Sequence, residues 1–113
     1  MKYMLLLADD PELAASVDQA EMMQEYFAFS QRIAESGEMV AGDALHANTT
    51  ASTVRTRNGS TTVTDGPFAE TKEQIGGFYV VDVPSLDRAL ELAAMIPASR
   101  TGSVEVRPVM EFS

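Results

Sequence analysis

The chain has 113 residues, of which 45% are hydrophobic and 22% charged, enough for one packed domain spanning residues 1–113. A net charge of −9, with only eight scattered basic residues, excludes a phosphate-backbone partner, so no direct nucleic-acid binding is expected. The lack of cysteine removes disulfides, thiolate zinc ligands and thiol catalysis, and no apolar run approaches a membrane span; a cytoplasmic protein without membrane attachment is expected.

In chain order, "KYMLLLA" (2–8) is apolar on both faces and predicts a central strand. An acidic irregular loop is expected over 9–17, around Pro11. Asp18, three residues before Glu21, predicts a helix start. Met22, Met23, Tyr26, Phe27, Ser30, Ile33 and Ala34 then recur on one helical face, and Gly37 closes the helix. "MVAGDAL" (39–45) reads as a short strand. Two polar, β-branched runs flank Asn58-Gly59 and predict a hairpin at an edge or over the sheet. "IGGFYVVDV" (75–83) predicts a second central strand, with Gly76-Gly77 marking a bulge or a close backbone approach. Ser85 caps a second helix with a buried stripe of Leu86, Ala89, Leu90, Ala93 and Ile96, ended by Pro97. "SVEVRPV" (103–109) alternates, placing Val104 and Val106 on one face and Glu105 and Arg107 on the other.

With the hairpin set aside, the order is βαββαβ, the ferredoxin-like α+β unit. Two helices cover one face of such a sheet. Nothing in the chain covers the other, and an open apolar face is unstable in water. The expectation is a homodimer that closes this face with a second copy and leaves a cavity between the two sheets.

The segment "TDGPFAETKE" (64–73) joins the hairpin to the second central strand. Asp65, Gly66 and Pro67 make a turn, and Phe68 reads as its anchor in the core. Glu70, Lys72 and Glu73 exceed what a turn needs and are candidates for a site rim; Thr71 is a candidate start of a short helical turn aimed at an anion. His46 is the only histidine, read either as a solvated strand-end residue or, with Asp65, as an acid/base group. Arg107 and Lys72 are candidate clamps for a small anionic molecule, with Glu70 and Tyr79 beside them; Arg55 and Arg57 read as protection of the hairpin edge. No spacing of ligands suggests a metal, and no nucleotide or cofactor motif is present.

Three blocks, "MKYMLLLA", "VTDGPFAETKEQIGGFYVVDVPSLDRALELA" and "GSVEVRPV", resemble the YCII-related family, in particular its DGPF-domain branch. The resemblance runs nearly end to end and implies a dimeric α+β barrel of bacterial origin. It also implies a regulatory association, since genes of this branch often lie beside those for extracytoplasmic-function sigma factors. The wider family has a proposed catalytic pair, a His in the first helix and an Asp before a Pro at the end of the second. Tyr26 stands near the first position here and Ile96, before Pro97, at the second, so that pair cannot be built.

Three functions are compatible with these residues. One is a homodimer that binds a small, anionic molecule in a cavity between sheet faces. Another is a cofactor-independent lyase or isomerase with Asp65, Glu70 or Glu73 as acid/base. The third is an interaction module for a sigma factor.

Overall fold

Six strands follow one another as β1 (Lys2–Asp9), β2 (Met39–Ala44), β3 (Ser52–Arg57), β4 (Ser60–Asp65), β5 (Gln74–Asp82) and β6 (Gly102–Pro108). Among the described residues there are also four α-helices, α1 (Pro11–Ala15), α2 (Gln19–Glu35), α3 (Leu86–Met95) and α4 (Ala98–Thr101), and one 3-10 turn at Asn48–Thr50. The structure, a computed structural model, describes residues 1–112. Strands β2, β5, β1 and β6 form one antiparallel sheet in that order, the ferredoxin-like arrangement expected for βαββαβ. No helix among the described residues is long and apolar enough to cross a membrane.

The two central strands owe their position to their period of two. Tyr3, Leu5 and Leu7 of β1 and Tyr79 and Val81 of β5 are buried on one face, with Leu5 opposite Tyr79 and Tyr3 opposite Val81. Ile33 of α2 and Leu92 of α3, with Ile96 beyond it, cover this face. Leu5, Val81, Ile33, Leu92 and Ile96 are fully enclosed, and each such side chain contributes about 1.5–3 kcal/mol through burial.

The helices start where their caps place them. The Asp18 carboxylate accepts from the Ala20 and Glu21 N–H groups at 2.9 and 3.1 Å, and Ser85 Oγ accepts from the Arg88 N–H at 3.3 Å. Residues 9–17 depart from the expected loop. Asp10 accepts from the Glu12 N–H at 3.0 Å and Pro11 occupies the first helical position, so a short α1 forms.

The buried stripes also differ from the expected ones. In α2 the enclosed residues are Phe29 and Ile33, with Met22 and Tyr26 half-buried above them, while Met23, Phe27 and Ala34 are exposed. In α3 Leu92 takes the central place, and Leu86 and Leu90 are each 47% exposed. Both helices carry more apolar residues than one face can bury, so periodicity alone could not choose among them.

The hairpin forms at Asn58-Gly59, both residues having positive φ (52° and 76°) as a tight two-residue turn requires. It pairs with neither edge of the main sheet: β3 and β4 make a two-stranded sheet of their own. This arm enlarges the radius of gyration to 15.8 Å, against about 13 Å for a compact chain of this length. The thinnest dimension is 19 Å, the depth of two layers. Met4, Leu6, Phe78 and Val80 accordingly lie half-buried on a sheet face that no helix among the described residues covers.

Candidate functional site

Between α2 and the β2–β5 side of the sheet, on the helical face, lies a cleft of about 430 Å³. Its position follows from glycines in the strands beneath. The β1–β5 register shifts so that Leu7 faces Gly77 and Ala8 faces Ile75, which leaves Gly76 as a bulge, as its sequence suggested. A Cβ on Gly77 would sit 2.9 Å from the Asp43 carbonyl oxygen, so glycine there lets β2 approach. A Cβ on Gly42 would sit 2.7 Å from the Tyr79 ring, so this glycine makes room for Tyr79.

Tyr79 anchors the inner wall. Its ring meets Phe29 edge-on at 5.1 Å and 70°, and its hydroxyl lies 2.8 Å from Ser30 Oγ. Tyr26 stands one helical turn before Ser30. Burial, and after it the nearby charges of Asp9 and Tyr79, push the Tyr26 phenol up to about 12. At neutral pH this phenol is a hydrogen-bond donor and not a base. Met23, Phe27 and Met39 supply apolar wall, and Phe27 is 70% exposed at the rim. Asp9, at the end of β1, also lines the cleft.

The residues singled out from sequence are distributed over several places. Tyr79 is in the cleft. Lys72 pairs with Asp10 at 3.2 Å, and Glu73 accepts from the Ser103 hydroxyl, so the 70–73 segment straps the start of β5 to the end of β1 and to β6. Burial raises the Asp10 carboxyl, but the Glu12 N–H, Lys72 and the Leu13 N–H together outweigh it and hold this group below the usual carboxylate range. Glu70 is exposed on the same segment. Asp65 ends β4, and His46 is exposed after β2. Arg107 stands opposite Met4 on the uncovered face, 3.8 Å from Glu105. Arg55 donates to the Phe68 carbonyl at 3.1 Å, so it braces the turn.

Two expectations for the turn are corrected. Phe68 is 73% exposed and anchors nothing in the core, because the arm holds the turn outside the main sheet; the turn is tied instead by Thr53 Oγ1, which donates to the Gly66 carbonyl at 2.7 Å. The segment after Thr71 bends without forming a helical turn. Ile96, at the position of the family's carboxylate, is fully buried, whereas Tyr26, at the position of its histidine, lines the cleft.

Asp9, Ser30 and the cleft walls were not singled out as a group. The signal for Asp9 was available: it has the same parity on β1 as Leu5 and Leu7, so extending the strand by one residue puts it on the helical face. The signal for Ser30 was its place beside Tyr26 on α2.

The comparisons agree with this architecture. An uncharacterized protein of Rhizobium meliloti (strain 1021) is 39% identical over 114 residues, covering 96% of this chain and 92% of that protein. Among solved structures, the 5-chloro-2-hydroxyhydroquinone dehydrochlorinase of Burkholderia phenoliruptrix AC1100, in complex with 2,5-dihydroxybenzoquinone, superposes with a TM-score of 0.53. It is 14% identical, and the match covers 99% of this chain and 96% of that one, a likeness of fold. The model of the YCII-related domain matches residues 1–113, and the chain belongs to the YCII-related family.

Proposed function

We propose that the protein, a member of the DGPF branch, is a cytoplasmic homodimer that binds a small planar molecule in the cleft between α2 and the sheet. The observation that carries this reading is the cleft itself. Its volume of about 430 Å³ falls within the range of about 300–1,000 Å³ typical of small-molecule sites. Its walls are largely apolar and aromatic, and its polar groups are few: the Ser30–Tyr79 hydroxyl pair, the Tyr26 phenol, and the aspartates Asp9 and Asp43. The solved neighbour was captured with a small hydroxylated quinone, a ligand of the kind such walls admit.

This places the ligand on the helical side of the sheet and leaves the opposite face for the second copy. Met4, Leu6, Phe78 and Val80 give that face an apolar centre, with Glu105 and Arg107 at its margin. A two-fold contact would bury the same patch on both copies. Among the described residues the cleft lining includes no lysine or arginine, so the anion expected from Lys72 and Arg107 finds no clamp there.

A lyase-type reaction is the second reading, favoured by a carboxylate (Asp9) and a protonated phenol (Tyr26) at one cleft. The test is an amide-resolved NMR titration with hydroquinone, a small planar ring uncharged at neutral pH, read also for product. Shifts clustered at residues 23–30 and 76–79 are expected. Shifts confined to Met4, Leu6 and Val80 would contradict the cleft, and product formation would select the enzyme.

A further inference from the structure

We propose that the β3–β4 arm is a clasp between copies of this chain: its Val54–Val63 pair packs on the second copy, and Arg57 reaches a carboxylate there. The inference rests on the homodimer reading above and deepens it by giving a task to the arm, which neither the core nor the cleft uses.

β3 and β4 pair only with each other, and a two-stranded ribbon by itself is marginally stable in water. The root is secured: the Gly66 N–H donates to the Ala51 carbonyl at 2.7 Å, and Thr53 Oγ1 donates to the Gly66 carbonyl at 2.7 Å. Beyond the root the ribbon stands alone. Its cross-strand pairs are built from Ser, Thr, Arg and Asp, with one exception, Val54–Val63. Threonine already supplies the β-branching that a strand favours, so the ribbon does not need valine in order to form. Both valines nevertheless face water, at 63% and 65% exposure, and Phe68 just beyond the root is exposed as well.

Charge, area and shape select a second copy as the occupant. Residues 48–64 contain Arg55 and Arg57 and no acidic residue, so taking these two charges out of a net −9 leaves −11 on the rest of the chain. Arg55 donates to the Phe68 carbonyl and Arg57 to the Thr56 carbonyl, and neither meets a carboxylate among the described residues. The acidic body of another copy is the complementary surface for such an arm. The uncovered sheet face also falls short by itself. Met4, Leu6, Phe78 and Val80 are already half-buried, and closing them adds on the order of 300 Å² per copy, against roughly 800 Å² per partner in a standard interface. The arm, two six-residue strands, is about 20 Å long. It stays within the 19 Å depth of the molecule, so it extends sideways and leaves the sheet face free to stack. Two-fold symmetry makes each arm contact the other copy in the same way, which doubles the gain.

The test mixes full-length chain ¹³C-labelled in its valine methyls with full-length chain labelled with ¹⁵N and deuterium, and reads the NMR contacts that cross between copies. The Val54 and Val63 methyls are expected to touch amides of the other copy. Val54→Thr combined with Val63→Thr keeps the branched shape that the ribbon needs. It is expected to raise the dimer dissociation constant at least about tenfold in sedimentation equilibrium, with far-ultraviolet circular dichroism unchanged. Arg57→Gln is expected to flatten the salt dependence of dimerisation. A dimer in which these two methyls touch no amide of the other copy overturns the clasp and leaves the sheet-face dimer standing. So does a dissociation constant that stays within about twofold in the double variant, which would leave the arm to a different molecule. A wild-type chain that is monomeric at millimolar concentration removes the homodimer reading and this inference with it.

Discussion

The two faces of one sheet have opposite fates in this chain. On the helical face Leu5, Val81, Ile33, Leu92 and Ile96 have no exposure at all. On the other face Met4, Leu6, Phe78 and Val80, drawn from β1 and β5, are only half-buried. The residues are equally apolar, so composition does not distinguish the faces; chain connectivity does. Both helical crossovers pass over one side, and the spare segment, β3–β4, projects away as an arm instead of covering the other. The lesson is that the chain encloses its core on one face and leaves the other only half-buried, the face on which the proposed homodimer would form. The proposed ligand cleft lies on the covered side, along the middle of α2, where Tyr26 and Ser30 face β5.

The largest effect that would break this contrast is on assembly. Phe78→Glu puts a charge at the centre of the uncovered face, and sedimentation equilibrium is expected to change from twice 12.2 kDa to a single chain, with the monomer still folded. A variant that remains dimeric would move the interface elsewhere. Next in size is Leu92→Ala on the covered face, expected to cost about 2–5 kcal/mol in urea unfolding through the cavity it leaves. Gly42→Ala is expected to cost about 1–3 kcal/mol, because the added methyl meets the Tyr79 ring. Near-ultraviolet circular dichroism should report the displaced tyrosine.

Acid sharpens the comparison further. Glu38 receives two bonds from the Arg88 guanidinium, at 2.8 and 3.0 Å, which hold it below its usual range; Asp10 is also held low. Carboxylates depressed by folding contribute stability that is complete above their unfolded values of about 4 and is lost as pH falls through the lower folded ones. The melting temperature is therefore expected to hold down to about pH 5 and to decline below it, less steeply in Glu38→Gln. The smallest effect is expected in the arm: Val54→Thr, at a residue 63% exposed, should shift stability by no more than about 0.5 kcal/mol in the isolated chain.

Much of this fold was legible in the sequence because its signals are local. A run apolar on both faces located β1, alternation located β6, caps located α2 and α3, and Asn58-Gly59 located the hairpin turn. Choosing between two apolar stripes on α2 needs the partner surface: Phe29 wins a core place because Tyr79 offers its ring there, and Phe27 is left at the cleft rim. The site was less legible for a related reason. Tyr79 was visible as a strand residue of unknown facing, but Asp9, Ser30 and Tyr26 meet it only after β1, α2 and β5 have packed. Lys72 and Glu73 were visible as charges in excess of a turn, and the structure gives them a strap to Asp10 and Ser103. Phe68 misled because an aromatic beside a turn is ordinarily buried, and here the turn stands off the core.

A crystal structure of the protein as purified tests the division of labour between the two faces most directly. The expected result is two copies packed through Met4, Leu6, Phe78 and Val80, with non-protein density in the α2–β5 cleft beside Ser30, Tyr79 and Asp9. A sheet face left open to solvent, or a cleft closed by Phe27 folding inward with ligand density lodged between the sheets near Arg107, would contradict it.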